Sequence, residues 1–214
     1  MGKLYLITGD IIECSNGMDA IVNAQNKYMA YGGGICGAIY NASGNELEQY
    51  CKRTYEKHME VGEVRITPGF NLKMDIIHIY APIFYEWEKP IDKLMESYDN
   101  LLNEAIKNKY KKILLPSLGT GFHGYQHQEV SEQVIKKLYD FTNTNDIEVY
   151  FINRFSIDTN TYFEELLKLK EFTQEELFEI LQNEEYCYYD FIEGNNSKDL
   201  NPYEKLVELK VKSK

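Results

Sequence analysis

Ile21-Val22-Asn23-Ala24-Gln25-Asn26, running on into Gly32-Gly33-Gly34-Ile35-Cys36-Gly37-Ala38-Ile39-Tyr40, decides how this chain folds. A short apolar run of strand length gives way to a loop of small residues and then to a helical pattern. In such a strand–turn–helix unit the loop amides and the positive end of the helix dipole face one point, which is how a fold holds an anion without cationic side chains. The same order recurs in Ile113-Leu114-Leu115-Pro116-Ser117-Leu118-Gly119-Thr120-Gly121-Phe122-His123-Gly124-Tyr125. Two such turns facing each other suit a diphosphate.

Outward from these turns the chain alternates. Leu4 to Thr8 reads as a strand stopped by Gly9-Asp10, and Ala20 to Asn23 as a strand covered on both faces. Cys36 to Asn41 reads as a short helix. Ser43-Gly44-Asn45-Glu46 has capping-box spacing, with its helix running to about Lys57. Glu63 to Thr67 and Ile76 to Tyr80 read as strands. From Ile91 to Lys107, Leu94, Tyr98, Leu101, Leu102 and Ala105 recur at helical spacing. The strand Ile113 to Leu115, a helix from about Gln128 to Phe141 and the strand Ile147 to Ile152 complete the series. Strands alternating with helices indicate a layered α/β domain with helices on both faces of a mixed sheet. In such sheets ligands bind beyond the carboxyl ends of the strands, where both glycine turns fall.

The 214 residues carry a formal charge of −11, which argues against a nucleic-acid backbone as partner, because that binding relies on Lys and Arg neutralising phosphates. Cys14, Cys36, Cys51 and Cys187 lie far apart with no CxxC pair, so neither a zinc ribbon nor a disulfide framework is indicated. Neither a metal nor a redox cofactor is expected. A reduced, cytoplasmic setting fits the cysteines. The first residues lack a signal-peptide core, and no apolar run reaches the ~18 residues of a membrane span. From Ser156 onward acidic residues outnumber lysines by 14 to 7. In this stretch Thr173 and Asn201 stand at helix-start patterns, Gly194 to Ser197 reads as a loop, and Tyr186 to Ile192 is aromatic enough to pack on something.

Six ordered blocks resemble the macro domain family, nearest its MacroD-type branch: Gly9-Asp10-Ile11; Ile21 to Asn26; Gly32 to Ile39; Gly62-Glu63-Val64 with Gly69-Phe70-Asn71-Leu72; Ile77 to Pro82; and Gly119 to Tyr125. The resemblance spans residues 3 to 168 and implies a three-layer α/β/α domain over 1–170, followed by an acidic, helical, aromatic-containing extension over 171–214 with no counterpart. It also implies an ADP-ribose pocket. Asp10 would accept from the adenine exocyclic amine with the Ile11 amide beside it, although a turn or capping role is the plain alternative. Phe155 would line the adenine unless it is a core aromatic. Gly33, Gly34, Ile35 and the start of the Cys36 helix would give amides to one phosphate, and Ser117, Gly119, Thr120, Gly121, Phe122 and His123 would form the other cradle. Hydrogen bonds to a charged group contribute ~1.5–3 kcal/mol each, so about four, discounted for ligand ordering, support binding near −8 kcal/mol.

Asn26 would bond the distal ribose, and Asn23 would keep the binding loop in shape through backbone hydrogen bonds. His78, inside a strand, reads as a satisfied core histidine. Two positions depart from the family. Relatives usually carry an aspartate where this chain has Cys36, a carboxylate thought to act on water at the distal ribose, and an aromatic residue where it has His123. Three readings stay open: an ADP-ribosyl hydrolase using Asn26, an ordered water and His123; a non-catalytic reader of ADP-ribose; and a nucleophilic or redox-sensitive Cys36, its pKa lowered by the helix N-terminus with His123 as base. A further class is an interaction protein acting through its tail. The partners implied are ADP-ribose or a mono-ADP-ribosylated protein, with nucleic acid only as an ADP-ribosylated end. The linkage stays open among an acidic side chain, Ser, a nucleic-acid end and the acetyl ester, and a monomer is expected.

Overall fold

Apolar runs too short for helices and too continuous for one-sided strands end up between two helical layers. In the computed structural model, which describes residues 2–169, the strands are β1 (Lys3–Thr8), β2 (Ala20–Ala24), β3 (Val64–Pro68), β4 (Asp75–Ile79), β5 (Lys112–Pro116) and β6 (Glu148–Asn153). They form one sheet in the order β1-β6-β5-β2-β4-β3. Every neighbouring pair is parallel except β3 with β4, so the sheet is mixed with its antiparallel strand at an edge.

Five helices cover the sheet: α1 (Gly34–Ser43), α2 (Asn45–Thr54), α3 (Pro90–Lys107), α4 (His127–Thr144) and α5 (Ser156–Leu169). Strand alternation splits the core in two. Ile21, Ile76 and Leu114 face α1 and α2, meeting Ile39, Tyr40 and Leu47. Ala20, Val22, Ile77 and Leu115 face the other way onto Leu94, Tyr98 and Leu101 of α3, Val134 of α4 and Tyr162 of α5. Each large apolar side chain buried this way contributes roughly 1.5–3 kcal/mol. The result is the three-layer α/β/α architecture.

Two local readings need correction. Ser43 does not cap α2. It ends α1, its hydroxyl is buried without a partner among the described residues, and Gly44, at φ +84°, is the residue that turns the chain into α2. A side chain is costly at that φ, so glycine takes the corner and leaves no box for Ser43 to complete. The helix Cys36–Asn41 starts two residues earlier, at Gly34. The first part of the acidic stretch from Ser156 forms α5, which packs on α4 and β1, with Thr159 meeting Thr8 of β1 at 2.7 Å between hydroxyl oxygens. The helix starts at Thr173 and Asn201, the loop at 194–197 and the aromatic segment 186–192 lie outside the described residues. Among the described residues, no helix is long and apolar enough to cross a membrane.

Candidate functional site

Because β1, β6, β5, β2 and β4 all run the same way, their carboxyl ends emerge together. Asp10 follows β1, Phe155 follows β6, Ser117 to Tyr125 follow β5, Gln25 to Gly33 follow β2, and Tyr80 to Pro82 follow β4. The two glycine turns leave adjacent strands, since β2 pairs directly with β5.

An account of their amides shows what each turn offers. At the first, the earliest α1 amide with a backbone partner is that of Gly37, which donates to the Gly33 carbonyl at 3.4 Å. The Gly34, Ile35 and Cys36 amides find no carbonyl among the described residues, as a helix start requires. Gly34 sits at φ +57°, and a Cβ on it or on Gly33 would meet nothing within 4 Å, so open space lies before these amides. In the second turn, the Leu118 amide donates to the Tyr98 hydroxyl, and the Gly124 and Tyr125 amides return to the Gly121 and Gly119 carbonyls. Between these anchors the amides of Gly119, Thr120, Gly121, Phe122 and His123 have no protein acceptor among the described residues. Tyr125 keeps the turn tight: with Gly119 at φ +77°, a Cβ there would lie 2.7 Å from the Tyr125 ring. Ser117 faces Thr120 at 2.9 Å between hydroxyl oxygens and so braces the same turn.

At the β1 and β6 end, the Asp10 carboxylate accepts from the Ile12 amide at 2.8 Å and the Glu13 amide at 3.4 Å, and its other oxygen pairs with Arg154. Partial burial pushes the Asp10 carboxyl up, but the Ile12 amide, the Arg154 guanidinium and the Glu13 amide outweigh it and hold it below the usual range. Asp10 thus braces the turn after β1 and carries a negative charge there. The neighbouring Ile11 amide makes no backbone hydrogen bond among the described residues. Phe155 is 59% exposed and so is no core aromatic; Phe122, on the second turn, is 95% exposed.

At the β2 and β4 end Asn23 differs from expectation. Asn23 is fully buried and binds side chains rather than backbone: its Nδ2 donates to His78 Nδ1 at 3.1 Å and lies 3.9 Å from the Cys36 sulfur, while its Oδ1 has no partner among the described residues. Asn26 is the residue that shapes the loop, donating to the Ala30 carbonyl at 2.7 Å and accepting from the Tyr28 amide at 3.0 Å. His78 is a satisfied core histidine: Asn23 supplies the donor at Nδ1, so Nε2 carries the proton toward the Thr67 hydroxyl, 2.9 Å away. Burial pulls its pKa down to about 3.

Cys36 is 4% exposed, and burial pushes its thiol up to about 11, against the opposing Asn23 and Gly32 donors. The expectation of a thiol acidified by its helix N-terminus is thereby corrected, because desolvation of a thiolate outweighs the dipole here. The S–H instead points to Gln25 Oε1 at 3.2 Å, with the Ala30 carbonyl at 3.6 Å, and His123 is not among its partners. His123 hangs over the end of β4. Its Nδ1 lies 3.1 Å from the Pro82 carbonyl and its ring stands edge-on to Tyr80. A carbonyl can only accept, so Nδ1 bears the hydrogen and Nε2 of the neutral ring is left as an acceptor. Burial lowers the His123 pKa, only partly offset by the Pro82 and Ala81 carbonyls.

Gln25, Tyr80 and Arg154 went unread in the sequence. Gln25 had a signal: it stands two residues after Asn23, on the same face of the strand. Arg154 had none, since its pairing with Asp10 spans 144 positions.

A three-layer α/β/α domain with unbonded main-chain amides at the carboxyl ends of neighbouring parallel strands belongs to the class of folds built to hold anions by backbone. Residues 22–134 match the Macro domain family. The O-acetyl-ADP-ribose deacetylase of Salmonella typhimurium is 34% identical over 156 residues, covering 70% of this chain and 86% of that protein. A macro domain-containing protein of Methanosarcina mazei is 33% identical over 147 residues, covering 68% and 76%. Among solved structures, the Oceanobacillus iheyensis macrodomain with ADP superposes with a TM-score of 0.69 at 32% identity, covering 76% of this chain and 88% of that one. The Trypanosoma brucei macrodomain in complex with ADP-ribose gives 0.65 at 25% identity, covering 76% and 68%. The chain belongs to the macro domain family.

Proposed function

We propose that this protein binds ADP-ribose across the carboxyl ends of its sheet and hydrolyses a group joined to the distal ribose, either the acetyl ester of O-acetyl-ADP-ribose or a mono-ADP-ribosyl link to protein. The observation that carries this reading is the pair of amide-lined turns on adjacent strands, each with several N–H groups that no protein acceptor among the described residues uses. One turn takes each phosphate. Phe155 and Asp10 take the adenine end, and Asn26 and His123 take the distal ribose. The name carried by the Salmonella relative supports the reaction class.

His123 is the base in this scheme. For the acetyl ester, its Nε2 removes a proton from water as the water oxygen attacks the acetyl carbonyl carbon; the acyl C–O bond to the ribose then breaks, acetate is released, and the imidazolium returns the proton to the departing ribose oxygen, while the Pro82 carbonyl holds the ring through Nδ1–H. Cys36 serves as an un-ionised packing group at the foot of α1. The buried thiol also favours a second reading, a reader of ADP-ribose without turnover, because a carboxylate base is missing where relatives usually have one. The protein acts as a monomer, the binding unit is residues 1–170, and residues 171–214 form a separate extension.

Calorimetric titration with ADP-ribose, paired with turnover of O-acetyl-ADP-ribose and of a mono-ADP-ribosylated protein, tests the proposal. Micromolar binding with turnover that falls in Asn26→Ala and His123→Ala but persists in Cys36→Ser is expected. Binding without turnover selects the reader, and absence of binding removes the site.

A further inference from the structure

We infer that Gln25 is a positioning residue for the distal-ribose end of this site, clamping the Asn26 main chain to the first turn of α1. The inference rests on the ADP-ribose reading above. Gln25 lies just past the end of β2, is 1% exposed, and its own amide donates to the Ile79 carbonyl of the neighbouring strand at 2.9 Å. Its side chain is fixed from both ends. Oε1 accepts from the Asn26 amide at 2.8 Å and from the Cys36 thiol at 3.2 Å. Nε2 donates to the Tyr40 hydroxyl at 2.8 Å, with His78 Nδ1 at 3.4 Å. The Tyr40 hydroxyl in turn donates to the Met29 carbonyl at 2.8 Å.

These bonds close a circuit. From Gln25 one arm goes directly to Asn26, at the start of the loop; the other goes through Tyr40 to Met29, three residues further along it. The third, through Cys36, reaches the helix turn whose amides face the open space. Asn26 itself is turned inward by the Ala30 carbonyl, so its orientation depends on where residues 26–30 are held. The Gln25 carboxamide joins the loop directly at the Asn26 amide and meets both α1 side chains, Cys36 and Tyr40, that also reach the loop carbonyls. A carboxamide, with two acceptor sites and two donors, can occupy this place with all its groups used. The same contacts explain the thiol: Cys36 is held as a donor to Gln25, which is a structural duty rather than a chemical one.

The test uses the full chain and two ligands, ADP and ADP-ribose, titrated at a temperature where circular dichroism shows each variant folded. Wild type, Gln25→Met and Tyr40→Phe are compared; Tyr40→Phe removes only the hydroxyl that closes the circuit. ADP-ribose affinity is expected to fall at least tenfold in Gln25→Met and severalfold in Tyr40→Phe, with ADP affinity falling less in both. Unchanged ADP-ribose affinity with only a lower melting temperature, or equal losses for the two ligands, would overturn the positioning role. If Gln25→Met does not fold, Tyr40→Phe decides alone by the same criterion. A wild type that binds neither ligand removes the site assignment itself, and this inference with it.

Discussion

At the scale of single residues, Gly34 and His123 carry the sharpest expectations. Gly34 stands at φ +57° with open space before its amide, so a β-branched side chain there is strained and also fills the place a phosphate would take. Gly34→Val is expected to weaken ADP-ribose binding at least tenfold by calorimetry; equal affinity would detach the first turn from the phosphate. His123 is held below its ordinary pKa by burial, so the ring is neutral at pH 7 and loses its free lone pair only on acidification. The kcat/KM profile should be flat near neutrality and fall as pH drops through a value below 6.5. His123→Ala should cost ~10²–10⁴ in rate and abolish that acid limb. The glycines of both turns were legible from sequence because small residues between a strand and a helix have few other uses. The division of labour between Asn23 and Asn26 was not. It depends on which face each side chain meets, and on His78 and Cys36, 55 and 13 positions from Asn23, arriving there.

At the scale of elements, alternation and helical spacing marked out every strand and α1 to α4 to within a few residues, because apolar runs are read locally. α5 was not separated from the acidic stretch that contains it, since its anchors, Tyr162 against Phe151 and Thr159 on Thr8, are contacts across the fold. The row Thr67, His78 and Asn23 crosses β3, β4 and β2 on the face under α1, and it makes stability respond to acid. His78 has a folded pKa of about 3 against 6.5 for the ordinary group. Its neutral form therefore contributes in full above pH 6.5, and the contribution is lost progressively as pH falls toward 3, because the unfolded chain takes up the proton first. Urea unfolding between pH 4 and 7 should lose up to about 1.4 kcal/mol per pH unit from this group. His78→Gln should flatten the dependence, and an unchanged slope would assign the effect elsewhere.

For the molecule as a whole, residues from β1 through α5 build both core clusters, and α5 supplies Tyr162 and Leu166 to the second of them. A chain ending at Leu169 should therefore fold cooperatively and bind ADP-ribose within about threefold of the full chain, since two- to threefold is under 1 kcal/mol. A large loss of affinity would instead make residues 170–214 part of the pocket. The mixed sheet and three layers were legible from the alternation of elements. The strand order was not, because β1 joins β6 across nearly the whole domain and no local pattern encodes that pairing.

A cradle of peptide dipoles in a polypeptide of net charge −11 has an electrokinetic consequence. The dipoles act at contact distance, whereas the repulsion between an anionic nucleotide and the net negative charge of the chain reaches out over the Debye length, about 10 Å at 0.1 M salt. Added sodium chloride should then hasten encounter while leaving escape nearly untouched, so the dissociation constant falls with ionic strength, opposite to a pocket lined with arginine. Stopped-flow traces from 20 to 300 mM salt, as rough bounds, would record that inversion.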